Sequence, residues 1–264
     1  MNSKAHIQSA IDGSVATITL NRPEVHNAIN FEMWNEIQRV VSSLSMNEEV
    51  RVVLFRGAGG KAFSSGADIK DFPDHRSTKA RAKIYAEAFE SALDAIQSMR
   101  QPTISMIQGI CAGGGCELAM ATDIRIAGTN SVFSIPVAKI GVLLGYKEMK
   151  RLIQLVGPSN AGYLLLTANQ INETQALSIG LVNEVVSSDS LAEHVYGLAI
   201  LMSEYSPLAQ SGNKRILGTV LHDPNLDALT EEEQNFPLAM FDTSDSKEGY
   251  EAFIEKRKPK FTGR

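Results

Sequence analysis

The stretch GICAGGGCELAMATDIRIAG, Gly109 to Gly128, sets three consecutive glycines ahead of an apolar helical run and closes on a β-branched strand. The strand-like run Thr103 to Ile107 precedes it, so the segment reads strand, glycine turn, helix, strand. Gly113, Gly114 and Gly115 lack Cβ atoms and let backbone approach a ligand closely. At a helix start their N–H groups have no intrahelical acceptor and carry the positive end of the dipole. The turn is therefore either a tight packing corner or a site for a negatively charged oxygen. Glu117, one turn further on among Leu118, Ala119 and Met120, is either a first-turn residue satisfying the dipole or a general base in a partly dry pocket.

Outward from this segment the same alternation recurs. Val15 to Leu20, Val52 to Phe55, Asp123 to Ile126 and Leu181 to Val186 are further strand runs, and a strand-like pattern starts within the first ten residues. Phe31 to Leu44 has apolar residues at Met33, Trp34, Ile37, Val40, Val41 and Leu44, the spacing of one helix face, and Ala80 to Met99 fits the same template. Strands alternating with helices imply an α/β class with buried, largely parallel strands. After Gly141 helical patterns dominate: Lys147 to Leu155, Ser159 to Leu166, Glu173 to Ile179, Leu191 to Met202 and Pro207 to Leu221. The expected organisation is an α/β core over residues 1–200 and a helical region over residues 201–264, with no linker or low-complexity segment between them.

The bulk composition excludes several classes. The 264 residues are 44% hydrophobic and 21% charged, which suits a folded globular chain and neither a disordered nor a collagen-like one. A net charge of -5 argues against a nucleic-acid partner, because phosphate-tracking proteins spread positive charge over a whole face. Charged residues interrupt every apolar run well before the roughly 20 residues that cross a bilayer, so no membrane partner is expected. The opening MNSKAHIQSAIDG lacks the apolar core of a secretory signal. Cys111 and Cys116 match neither a zinc pair nor a redox pair and read as reduced packing residues of a cytoplasmic protein.

A second glycine loop, AFSSGADIKDF from Ala62 to Phe72, follows the Val52 to Phe55 strand. Two such loops supply one N–H each, the minimum for an oxyanion hole. Together with LNRPEVHNAIN (Leu20 to Asn30), QPTISMIQGICAGGGCELAMATDIRIA (Gln101 to Ala127), LVGPSNAGYLLLTANQINETQALSIGLVNEVV (Leu155 to Val186) and AFIEKRKPKF (Ala252 to Phe261), the chain resembles the crotonase superfamily, the enoyl-CoA hydratase/isomerase family. The resemblance implies a spiral of strand-strand-helix turns with a helical carboxyl-terminal region used in trimer formation, and a homotrimer or dimer of trimers. It implies an acyl-CoA thioester substrate, coenzyme A entering as part of that substrate, and no separate cofactor or metal. By the same resemblance the N–H groups of Ala67 and Gly114 form the oxyanion hole and Glu117 acts beside the α and β carbons. Arg22, Asp68, Ile69, Lys70, Gly113, Lys256 and Lys258 are the further substrate or coenzyme A positions, the last two in a basic cluster with Arg257 and Lys260.

The pattern breaks at two places: the family's glycine-rich continuation is changed to Gly145-Tyr146-Lys147-Glu148, and the second catalytic carboxylate is missing. Two-carboxylate hydratases of this family carry a second Glu twenty residues beyond the first, where this sequence has Val137 in FSIPVAKIGVLLGYKEMKRL. Water addition needs one group to take a proton and one to give a proton. Either Glu117 serves both steps, or Lys139, Tyr146 or another polar group replaces the missing acid, or the reaction is not hydration. Hydration is placed ahead of double-bond isomerisation by Glu117 alone, and both ahead of a non-catalytic acyl-CoA-binding or scaffold protein. A serine peptidase on a related spiral fold would need a histidine at the glycine motifs, and His6, His26, His75, His194 and His222 all lie outside them.

Overall fold

The computed structural model describes residues 5–264. Chain order gives β1 (Ile7–Asp12), β2 (Val15–Leu20), α1 (Phe31–Ser45), β3 (Val52–Gly57), β4 (Ala62–Ser64), α2 (Phe72–His75) and α3 (Lys79–Gln97). Then follow β5 (Thr103–Ile107), β6 (Ile110–Ala112), α4 (Gly114–Ala121), β7 (Ile124–Gly128), β8 (Val132–Ser134) and α5 (Tyr146–Thr167). The remainder comprises β9 (Ile171–Asn172), α6 (Glu173–Ser178), β10 (Glu184–Val186), α7 (Leu191–Ser203), α8 (Pro207–His222), α9 (Glu231–Ala239) and α10 (Ser244–Glu255).

The strands form two sheets. The six-stranded sheet has the order β1-β2-β3-β5-β7-β10, antiparallel only at the β1–β2 hairpin. The four-stranded sheet has the order β4-β6-β8-β9. Three times the chain lays a long strand in the first sheet, a three-residue strand in the second, and then a helix: β3, β4, α3; β5, β6, α4; β7, β8, α5. These are the strand-strand-helix turns expected of a spiral fold. The central strands are buried on both faces, as parallel sheets require, and β5 is buried at all five positions.

The helix faces follow the apolar spacing. Met33, Trp34, Ile37, Val40, Val41 and Leu44 of α1 are all buried, and Asn30 caps the helix by accepting the Met33 N–H at 3.0 Å. The runs 147–155 and 159–166 are one helical segment kinked at Gly157, whose φ of 74° interrupts the helix ahead of Pro158. Helix α7 packs on the first sheet beside β3, β5 and β7, where Leu191, Val195 and Ala199 join a buried cluster with Val52, Leu54, Ile104 and Ile126.

Helix α8 is tied to that sheet through charge. Lys214 Nζ donates to Asp123 Oδ2 at 2.7 Å and to the Gln101 carbonyl at 3.2 Å, while Asp123 also accepts from the backbone and hydroxyl of Thr103. Only 14% of the Lys214 side chain is exposed. Removing one partner of such a pair leaves the other charge desolvated and unpaired. Asp123→Ala is expected to lower the unfolding free energy by roughly 3–5 kcal/mol in urea titration, whereas an unchanged midpoint would show that Lys214 finds water instead.

The tail beyond α10 folds back onto the helix. Asp245 Oδ1 accepts from the N–H groups of Thr262 and Gly263, and the Arg51 guanidinium donates to the Phe261 carbonyl. Leu238, Phe241, Tyr250, Phe253 and Ile254 are left exposed on this region. Among the described residues, no helix is long and apolar enough to cross a membrane.

Candidate active site

The glycine turn opens onto a cavity of about 350 Å³. Its walls come from the 65–76 loop, α3, the start of α4, and the segment from Pro136 to Glu148. Ala67, Ile69, Gly113, Gly114, Glu117 and Val137, all singled out by sequence, meet there.

Backbone packing brings the two loops together. The Ile29–Ala67 bridge fixes the first loop: Ile29 N–H donates to the Gly66 carbonyl at 2.8 Å and Asp68 N–H to the Ile29 carbonyl at 2.9 Å. The Ala67 N–H between them donates no hydrogen bond among the described residues. Gly66 has a φ of 102°, and a Cβ there would fall 2.7 Å from the Ala112 carbonyl and 3.1 Å from Gly114 N. A Cβ on Gly114 would lie 3.3 Å from Ala67 N. Glycine at 66 is what allows this approach, and it leaves the Ala67 N–H beside that of Gly114, the first residue of α4. Two unengaged N–H donors in one small space are suited to a developing oxyanion.

Glu117 lies one turn into α4, and all eight residues of that helix are buried. Burial of the carboxylate, reinforced by the negative charge of Glu148, pushes its pKa from the ordinary 4.5 up to about 8; the guanidinium groups of Arg76 and Arg151 act weakly in the other direction. A carboxyl in this environment can hold and release a proton near neutral pH.

The aromatic wall behind the turn is locked. The Trp34 Nε1–H donates to the Tyr85 hydroxyl at 2.9 Å, and the Trp34 ring meets Phe89 edge-on at a centroid distance of 4.7 Å. Burial raises the Tyr85 pKa to about 12, so its hydroxyl keeps a proton beside the cavity it lines. The half-buried Arg76 guanidinium lies over the Phe72 and Tyr85 rings at 4.6 and 4.8 Å.

Other singled-out residues fall elsewhere. Arg22 Nη1 donates to Asp68 Oδ2 at 2.8 Å and to the Ala28 carbonyl, a partly buried pair that braces the loop carrying Ala67 and is not among the cavity walls. Asp68 caps the Lys70 N–H, leaving the Lys70 side chain exposed. Lys256 ends α10 with its backbone in the left-handed region, and Lys258 faces Glu204 at 3.3 Å. Arg257 pairs with Glu248 and Glu255. Within one chain Arg257, Lys258 and Lys260 line a surface hollow that shares no wall residue with the Glu117 cavity.

Lys139 and Tyr146, the replacements weighed for the missing acid, are exposed and outside the cavity walls. None of the five histidines lines the cavity; His75 stacks on Phe31 at 4.5 Å. Cys111 and Cys116 are buried free thiols, and burial pushes the Cys111 thiol up.

The cavity also holds Glu148, Arg76 and Tyr85, which the sequence reading did not select. For Glu148 the one available signal was its place in the changed glycine segment Gly145 to Glu148; a Glu in a first helical turn is otherwise an ordinary dipole partner.

Known proteins resemble this chain along nearly its whole length. The family model for enoyl-CoA hydratase/isomerase matches residues 10–264. The chain is 34% identical over 247 residues to a short-chain-enoyl-CoA hydratase from Clostridium acetobutylicum, covering 94% of each chain. It is 35% identical, again over 94% of each, to a crotonyl-CoA hydratase from Syntrophomonas wolfei. A crystal structure of an enoyl-CoA hydratase/carnithine racemase from Magnetospirillum magneticum superposes with a TM-score of 0.95 at 37% identity, covering 99% of this chain and 97% of the other.

Proposed function

The chain belongs to the enoyl-CoA hydratase/isomerase family, and within it we propose a hydratase, a lyase that adds water across the double bond of a 2-enoyl-CoA. The observation that carries this reading is the placement of the Ala67 and Gly114 N–H groups beside buried Glu117 in one mostly apolar cavity. The relatives named as hydratases favour water addition over double-bond migration.

In this reading the thioester carbonyl oxygen accepts from both N–H groups. Polarisation makes the β carbon electrophilic and the α proton acidic, and the donors are worth more as negative charge grows on oxygen. Water bonds to the β carbon while its proton passes to a carboxylate, and the resulting enolate takes a proton at the α carbon. Glu117 is within the cavity that holds these atoms and moves a proton in this sequence.

Coenzyme A is anionic, and the side chain of Lys70 is an exposed cation on the loop bearing Ala67. The Lys256 and Lys258 cluster serves the nucleotide phosphates from a neighbouring subunit, since within one chain it lies elsewhere. The exposed Phe241, Phe253 and Ile254 support assembly as a homotrimer or dimer of trimers. A monomeric mass in solution at micromolar concentration would contradict that assembly.

The reaction is tested by incubating the protein with a short trans-2-enoyl-CoA and with its trans-3 isomer, with products followed by mass. A product heavier by one water from the trans-2 substrate supports the hydratase. An unchanged mass with a moved double bond would make the chain an isomerase driven from Glu117, and no conversion of either substrate would favour a binding role.

A further inference from the structure

A second buried carboxylate lines the cavity with Glu117. Glu148, in the first turn of α5, is 3% exposed, and its Oε1 has no hydrogen-bond partner among the described residues. The guanidinium of Arg151 stands near it, but Nη1 is 3.8 Å from Oε1 and is itself unpartnered. Helix α3 holds the rest of that guanidinium: Nε donates to Gln97 Oε1 at 2.8 Å, and Nη2 to Asp94. A carboxylate kept out of water with one oxygen unengaged costs free energy, and such costs are tolerated where the group has chemistry to perform.

The backbone makes room for this group. A Cβ on Gly145 would sit 2.1 Å from Glu148 Oε2. Gly145 has a φ of -71°, open to any residue, so it is the carboxylate and not the chain path that demands glycine there. Val137 lines the same cavity and offers only apolar surface.

We propose that Glu148 is the second carboxylate of the reacting pair, supplying from α5 the proton-transfer group absent at Val137. The inference rests on the hydratase reading. With one proton shared by the two carboxyls, the ionised one takes a proton from water as the water oxygen bonds to the β carbon. The π electrons move to the thioester oxygen held by Ala67 and Gly114. As the enolate collapses, the α carbon takes the proton of the other carboxyl. The pair ends with the same single proton on the opposite partner, and transfer between them restores the starting state.

Arg76 and Arg151 are the cations acting on Glu117; Asp94 and Lys147 lie behind Arg151, and Glu90 stands on the cavity wall. Because Glu117 releases its proton at about pH 8, hydration should fall above that pH as the proton destined for the α carbon is lost. Glu117 working alone as a base would instead gain activity there.

Hydration of a short trans-2-enoyl-CoA is measured across pH for wild type, E148Q, E148D and G145A, with thermal unfolding of each. The expected result is a loss in kcat of about 10²-fold or more in E148Q with KM little changed, and partial recovery in E148D. G145A, which pushes the carboxylate aside without removing it, should lose kcat in the same direction. In E148Q the alkaline fall should move to lower pH, because the charge that raises Glu117 is gone. Turnover in E148Q within about twofold of wild type overturns the proposal. So does a loss accompanied by a lowered Tm, an unmoved pH profile and full activity in G145A, which would leave Glu148 only a structural partner of Arg151. Absence of hydration in the wild type is a different result and removes the hydratase reading itself.

Discussion

Glu117→Gln should lower turnover by roughly 10²–10⁴-fold while making the fold more stable at alkaline pH. Glutamine keeps the size and hydrogen-bonding shape of the carboxyl but neither accepts nor releases a proton. Its effect on stability follows from linkage. The native Glu117 carboxyl titrates at about 8 against an ordinary 4.5, mainly because burial disfavours its charged form. Between those two values the native state keeps a proton that the unfolded chain has released, so wild-type stability falls as pH rises through that window. The variant lacks this fall. The difference in Tm between E117Q and wild type should therefore be small near about pH 4.5 and reach its maximum above about pH 8. Unfolding scans at several pH values beside a turnover assay check both halves. A variant no more stable than wild type at alkaline pH would mean that the ionised carboxylate is well solvated and that the cavity is wet.

Gly114→Ala tests the backbone donors without touching a titratable group. Gly114 is the first residue of α4 and has no positive φ, so the helical backbone there accepts alanine. The added methyl, however, would stand 3.1 Å from Trp34 Cζ2 and 3.3 Å from the Ala67 nitrogen. In the proposed binding mode it intrudes where the thioester oxygen reaches both N–H groups. The expected loss in kcat/KM is of the order of 10²–10³-fold, the cost of removing one oxyanion donor, with Tm held to within a few degrees. Wild-type kcat/KM in this variant would mean that the oxygen does not lie between the two donors.

The long elements were legible because their periodicity was. Val15–Leu20 and Thr103–Ile107 occur with the bounds read from sequence, and the buried face of α1 is the apolar face of its pattern. The second sheet was not legible, since β4, β6 and β8 have three residues each and cannot establish an alternation. Helix α9 buries none of its residues and so carries no amphipathic signature to find. At the site, the two glycine loops and Glu117, an isolated carboxylate in an apolar run, stood out from the residues themselves, whereas Ala67 and Gly114 were singled out by the family resemblance. Glu148 did not stand out, because its burial is decided by long-range neighbours: α3 supplies the Asp94 and Gln97 contacts that anchor Arg151 beside it. The reverse holds for Arg22, whose sequence position suggested a ligand contact but whose guanidinium is committed to Asp68.

The most direct test of the account is the isotopic composition of the product formed from a short trans-2-enoyl-CoA in heavy water. Water addition through a proton-donating carboxyl predicts a 3-hydroxyacyl thioester carrying one non-exchangeable deuterium at the α carbon, in a single configuration, formed at least about 10²-fold more slowly by E117Q. An unsaturated product with the double bond moved, or hydration that persists at the wild-type rate in E117Q, would contradict it.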